Sequence, residues 1–114
     1  MKRYSLKFQY TFEKDAKRLG KRYQSMKSDI ASLCEDILAN PNLGTDLGGG
    51  LRKIRMAITS KGHGKRGGAR VITFTVIVSV EEAVINLLTI YDKSERESIK
   101  RSEILALLEK NGLR

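Results

Sequence analysis

The sequence predicts an α+β fold in the order β-α-α-β-β-β-α, with an antiparallel sheet packed against helices on one face. Three observations lead there. The start of the chain and its second half alternate apolar and polar residues with a period of two, as half-buried strands do. Two stretches between them, and one at the end, space their apolar residues by three and four, as one-sided helices do. Short links join the last three strands, which favours an antiparallel meander. At 114 residues, 40% apolar and 31% charged, the chain has the size and composition of a single domain, residues 1–114, with one core.

Tyr4, Leu6, Phe8 and Tyr10 alternate with Ser5, Lys7 and Gln9, which predicts the first strand. Thr11 is the expected cap of the first helix, whose apolar face is Phe12, Ala16, Leu19 and Tyr23. A second helix starts at Ser25 or Ser28 and runs to Ala39, with Met26, Ile30, Leu33 and Ile37 inward and Asn40-Pro41 as its stop. The short spacing makes the pair an αα-hairpin. Residues 40–50 have the composition of a loop. From Leu51 to Ile58, Ile54, Met56 and Ile58 share one face while Lys53, Arg55 and Ala57 share the other. Residues 59–68 are a basic, glycine-rich connection. Ala69–Val80 is β-branched and predicts a long central strand. Glu81-Glu82 turns into a last strand, Ala83–Tyr91. Ser94-x-x-Glu97 has the pattern of a capping box, so the final helix is expected from Ser94 to Asn111, with Ile99, Ile104, Leu105 and Leu108 inward and Gly112 past its end.

Composition narrows the function. Twenty-two Lys and Arg stand against 13 Asp and Glu, a net charge of +9, which favours a polyanionic partner. No apolar run reaches the roughly 18 residues of a membrane span, so no membrane partner is expected. The basic Met1–Tyr4 start lacks an apolar segment behind it, so no signal peptide is expected. One cysteine, Cys34, and one histidine, His63, exclude an internal disulfide, a CxxC metal pair and any two-histidine mechanism. No metal and no cofactor are expected, and the location expected is the cytoplasm.

The charge is unevenly placed. Leu47 to Val80 contains no acidic residue but holds Arg52, Lys53, Arg55, Lys61, Lys65, Arg66 and Arg70. Seven like charges without internal neutralisation oppose folding, which points to an anionic ligand; a solvated face plus a loop is the plainer alternative. Lys53 and Arg55 are two apart on one strand and share a face, and Arg70 opens the next strand. The Lys61–Gly68 segment has a phosphate-cradle composition but no GxxxxGK[ST], and it precedes a strand. His63 reads as an exposed loop histidine and Cys34 as a structural thiol. Tyr91 is either core packing or a stacking platform for a base.

Four stretches in this order resemble the RelE/ParE toxin superfamily, and within it the RelE- and HigB-like ribosome-dependent mRNA interferases. They are Phe12-x-Lys14-x-x-Lys17-Arg18-Leu19, Leu51-Arg52-Lys53-Ile54-Arg55, Lys61 through Arg70-Val71-Ile72, and Ile90-Tyr91-Asp92-Lys93-Ser94-Glu95. The resemblance implies a RelE-like fold and an endoribonuclease that cuts mRNA in the ribosomal A site. In such enzymes the 2′-hydroxyl attacks the adjacent phosphate without a metal.

By position, Lys53, Arg55, Arg70 and Lys93 match the family's catalytic cations. The resemblance makes Lys53 the expected base for the 2′-hydroxyl. Arg70 would stabilise the phosphorane, Arg55 would hold the phosphate, and Lys93 would serve the leaving 5′-oxygen. Arg52, Lys61, Lys65, Arg66 and Tyr91 are expected to meet messenger or ribosomal RNA. The tyrosine such enzymes carry in the final helix has Ile99 near its place, and Arg55 stands where lysine is commoner. The implied partners are the ribosome, its mRNA, and a cognate antitoxin of helix-turn-helix type. That antitoxin either covers the cations or acts by bulk. The alternatives are a ParE-like gyrase inhibitor and a non-catalytic RNA-binding protein of the same fold.

Overall fold

The computed structural model describes residues 2–114. Its elements are β1 (Arg3–Phe8), α1 (Tyr10–Arg22), α2 (Met26–Ala39), β2 (Thr45–Gly48), β3 (Leu51–Met56), a 3-10 turn (Thr59–Lys61), β4 (Ala69–Ile77), β5 (Glu82–Asp92) and α3 (Arg101–Lys110). The strands form one sheet in the order β1-β5-β4-β3-β2. The α+β class and the order of the expected elements hold, and β3, β4 and β5 form the antiparallel meander.

Three features of the expected architecture need correction. The sheet is mixed, because β1 lies parallel to β5; the helical hairpin between them is the crossover that parallel pairing requires. A short fifth strand, β2, pairs with β3 through Thr45–Lys53 and Asp46–Arg52 inside the segment expected to be loop. The helices occupy both faces rather than one. Phe12 and Leu19 of α1 and Met26, Ile30, Leu33 and Ile37 of α2 pack on Ile54, Met56, Val71, Ile85 and Leu87. Ile104 and Leu108 of α3 pack with Leu51, Ile72 and Leu88 on the opposite face. Leu88 reaches that face because an irregularity in β4–β5 pairing leaves it without a partner between Ile72–Thr89 and Thr73–Leu87.

Two caps also differ. Gln9, not Thr11, precedes α1; the Thr11 hydroxyl instead donates to the Leu88 carbonyl and accepts from Asn111 Nδ2 at 2.9 Å, tying α1 to β5 and α3. The last helix begins at Arg101 rather than at Ser94. Ser94 spends both its backbone N–H and its hydroxyl on Asp92 Oδ1, at 2.9 and 2.7 Å. The reciprocal contact that does start α3 comes from Glu103, which accepts from the Lys100 backbone N–H at 3.2 Å. Gly112 follows the helix with φ +69°, as expected of a C-terminal glycine.

Candidate nucleic-acid interface

Register places the expected cations. Arg55 pairs with Arg70 across β3–β4, and Arg70 pairs with Tyr91 across β4–β5. These three residues form one row across the sheet, on one face. Lys53 lies two residues along β3 from Arg55, opposite Ile72. This is the α3 face, and it has two halves. Leu51, Ile72 and Leu88 lie under α3, whereas the row of Arg55, Arg70 and Tyr91 lies toward the other end of the strands. Arg55 is exposed and Lys53 half-buried. Among the described residues neither is ion-paired to a carboxylate. Arg55 also borders a small cavity of about 140 Å³ with Asp29, Asp36 and Lys65.

Arg70 is buried, 5% exposed. Its Nη1 donates to the carbonyls of Lys65 and Ala69, both at 3.1 Å, and its Nη2 to Arg66 at 3.0 Å. The guanidinium thus holds the chain that carries Lys65 and Arg66, two exposed cations. Of its five N–H groups, three are spent this way, leaving Nε–H and one Nη2 hydrogen. Burial lowers the Arg70 pKa, and the Arg55 charge lowers it further. Gly68 lets this chain pass tightly over β3: a Cβ there would lie 2.9 Å from Ile58 N and 3.1 Å from Ala57 Cα. The Gly68 carbonyl in turn accepts from Lys93 N–H at 3.0 Å, fixing Lys93 just beyond the Arg55–Arg70–Tyr91 row.

Tyr91 is 5% exposed, and the Arg96 guanidinium stands 5.5 Å from its ring centroid. Among the described residues its buried hydroxyl has no hydrogen-bond partner. Burial pushes its pKa up, against the opposing pull of Arg70 and Arg96. An orphaned buried hydroxyl is unusual, and here it stands in one row with Arg55 and Arg70. Arg96 is the site neighbour that sequence reasoning missed. Its bonds to Glu103, at 2.9 and 3.0 Å, place it over Tyr91, and the only local signal was a basic residue after the last strand. Ile99, near the family tyrosine's place, packs instead on the core beneath α3.

Two of the expected RNA contacts lie elsewhere. Lys61 Nζ is 2.7 Å from Asp92 Oδ1 and 3.0 Å from Ser94 Oγ. Arg52 donates to the carbonyls of Asn42, Leu43 and Gly44 at 2.7–3.0 Å, pinning the segment before β2. The site therefore gathers Lys53, Arg55, Arg70, Tyr91 and Lys93, with Lys65 and Arg66 on the adjoining loop. Among the described residues, no group of three or more His, Cys, Asp or Glu is placed to hold a metal, and no helix is long and apolar enough to cross a membrane. Over residues 11–111 the chain matches a family described as RelE, the RelE toxin of the RelE/RelB toxin-antitoxin system.

Proposed function

The chain belongs to the RelE toxin family, and from that premise we propose that it is a cytoplasmic, ribosome-dependent endoribonuclease that cuts mRNA in the A site. The observation that carries this reading is the Arg55–Arg70–Tyr91 row beside Lys53, three cations and a tyrosine mounted on a rigid sheet face where, among the described residues, no carboxylate pairs with Lys53 or Arg55. Such a face suits one backbone phosphate with charge building on it.

In this reading Lys53 takes the proton of the ribose 2′-hydroxyl. The 2′-oxygen forms a bond to the adjacent phosphorus, and the bond from phosphorus to the 5′-oxygen breaks. Lys93 gives a proton to that leaving oxygen. The products are a 2′,3′-cyclic phosphate and a 5′-hydroxyl, so atoms and protons balance without metal or cofactor. Arg55 grips the phosphate, and Arg70 stabilises the phosphorane through the two N–H groups its loop contacts leave over. Tyr91 borders the RNA from within the row, its buried ring backed by the Arg96 guanidinium. Lys65 and Arg66 meet ribosomal RNA, as Arg52 and Lys61 would more weakly, because their donors are already engaged. The ribosome supplies the extended geometry for in-line attack, so free RNA is a poor substrate. Family toxins pair with antitoxins; for this one we propose an acidic partner of helix-turn-helix type.

The test is primer extension on mRNA from a translating bacterial extract, comparing wild type with Lys53→Ala/Arg55→Ala and with Arg70→Ala. Cuts within A-site codons that need ribosomes and vanish in the variants support the reading. Intact mRNA with folded wild-type protein sinks it, and gyrase inhibition or simple RNA binding then takes its place.

A further inference from the structure

The Tyr91 ring is buried, 5% exposed, yet it stands in line with Arg55 and Arg70 on the cationic half of the sheet. The other aromatic side chains lie elsewhere. Tyr4, Phe12 and Tyr23 pack between the sheet and the α1–α2 hairpin, where Phe8 stacks on Phe12. Tyr10 begins α1, and Phe74 packs beneath α3. Among the described residues Tyr91 is therefore the one aromatic ring in the row.

What lies on that ring is Arg96. Its guanidinium stands 5.5 Å from the ring centroid. Glu103 holds it at 2.9 and 3.0 Å, and the Ser98 carbonyl at 3.0 Å. The Arg96 and Glu103 side chains are 40% and 42% exposed, so a buried ring is covered by a side chain that itself faces solvent. The Arg96 backbone N–H donates to the Asp92 carbonyl at 3.1 Å, which fixes the chain there. The guanidinium can therefore leave the ring by a rotamer change, with the backbone at rest. The Tyr91 hydroxyl is the second observation: among the described residues it has no hydrogen-bond partner, so this place is completed by a group from outside the chain.

We propose that Arg96 is a displaceable cover: a nucleobase of the bound RNA takes its place on the Tyr91 ring, and Arg96 moves from Glu103 to the phosphate of that nucleotide. The inference rests on the reading of the row as an mRNA site, and adds to it a base-stacking subsite and a further phosphate ligand. The order of the competing interactions favours the exchange. An exposed ion pair contributes little, and so does a cation over a ring at an exposed site. A base stacked on an aromatic ring contributes more than either, and an arginine–phosphate contact is charge-assisted and often bidentate. A base and a phosphate arriving together therefore outcompete the cover. A simple anion brings no π-face for the ring, and a base inside a duplex is already stacked, so the subsite selects a single strand. With the guanidinium gone, the Tyr91 hydroxyl meets the ligand. The final helix offers no rival platform, because Ile99 packs beneath it.

The probe is a labelled single-stranded RNA of roughly six nucleotides, 2′-O-methylated so that it cannot be cut, beside an abasic version with the same phosphates. Binding is read by anisotropy across a salt series. The intact strand is expected to outbind the abasic one about fivefold or more. Tyr91→Leu should erase that preference, and Tyr91→Phe, which retains the ring, should keep it. Arg96→Met still covers the ring but carries no charge, and should lower the log–log salt slope by about 0.7. Glu103→Gln keeps an oxygen for the Lys100 N–H and frees Arg96, so it should bind the intact strand at least as tightly as wild type. Equal binding of the two strands overturns the proposal. So does a base preference that survives Tyr91→Leu, or a salt slope untouched by Arg96→Met. A loss of binding in Glu103→Gln that matches Arg96→Met overturns it too, since the pair is then a structural tie. The strand cannot be cut and no ribosome is present. A chain that passes these tests but leaves mRNA intact overturns only the nuclease reading, and one that cuts mRNA but fails them overturns only this inference.

Discussion

Arg55 and Arg70 are Cα partners in the β3–β4 ladder, so two guanidinium side chains leave the sheet from directly opposite positions on one face. Like charges in that relationship are destabilising. Arg70 spends donors on the Lys65, Arg66 and Ala69 carbonyls, and Arg55 stays exposed. Keeping such a pair makes sense where a phosphate neutralises it. Arg55→Thr, which suits a strand, is expected to raise stability by roughly 0.2–1 kcal/mol and to weaken mRNA cutting. Urea unfolding and the extract assay measure the two effects. A variant that gains no stability and cuts normally would mean the pair is neither strained nor used.

Asp92 anchors the far side of the same strand end. Its carboxylate is fully buried and accepts from Tyr23 Oη at 2.5 Å, Lys61 at 2.7 Å and Ser94 at 2.7 and 2.9 Å. Burial by itself would raise its pKa, but the hydrogen bonds from Lys61, Tyr23 and Ser94 outweigh that and hold the carboxyl well below the usual range. A depressed folded-state pKa adds stability that is fully present above the unfolded value, about 3.9, and is lost as pH falls below it. Tyr23 shows the opposite sign. The Asp92 bond, then burial, raise its pKa, so its share is present below the unfolded value of about 10 and fades as pH rises beyond it. Asp92→Asn is expected to cost roughly 3–5 kcal/mol, because Lys61 loses its buried counter-charge. It should also flatten the acid limb of a stability–pH curve. An acid limb unchanged in the variant would assign the pH dependence to other carboxylates.

Two glycine-to-alanine changes are expected to move stability in opposite directions. Gly20→Ala places a methyl in open space inside α1 and should stabilise by roughly 0.5–1 kcal/mol. Gly68→Ala places one against the backbone of Ala57 and Ile58. That overpacking should cost roughly 1–3 kcal/mol and loosen the turn that holds Arg70 and Lys93. Thermal unfolding of both variants decides it; equal shifts would mean that local packing is not what separates the two glycines.

The parts of the fold legible in the sequence were those with a local period. The stripes of α1 and α2 and the alternation from Leu51 to Ile58 needed no distant information, and they placed Lys53 and Arg55 on one face. What stayed hidden depends on contacts far apart in the chain. β2 is four residues among glycines, and only pairing with β3 makes it a strand. The parallel run of β1 beside β5 joins residues about eighty apart. Ser94-x-x-Glu97 had the right letters for a helix start, but Asp92 claims the Ser94 hydroxyl. At the site, the sequence supplied the cations but not their engagements. That Lys61 turns to Asp92, and that Arg70 bonds the loop carbonyls, are tertiary facts with no local signature.

The loop pair and the sheet pair of cations should separate binding from chemistry. Lys65 and Arg66 are exposed on the segment held by Arg70, where they can meet phosphates at any sequence. Lys65→Ala/Arg66→Ala is expected to weaken ribosome binding and to lower its log–log salt slope by roughly 0.7–0.9 per residue lost. Cutting at saturating protein should change little. Lys53 is half-buried on the rigid face beside the Arg55–Arg70–Tyr91 row. A group there that moves a proton contributes about 10²–10⁴-fold to rate, so Lys53→Met should slow cutting by that order with binding nearly intact. The two variants are compared by ribosome affinity across a salt series and by single-turnover cutting. If Lys53→Met instead behaves like the loop variant, losing affinity and salt slope with an unchanged rate of cutting, Lys53 is a phosphate contact and the base lies elsewhere on the face.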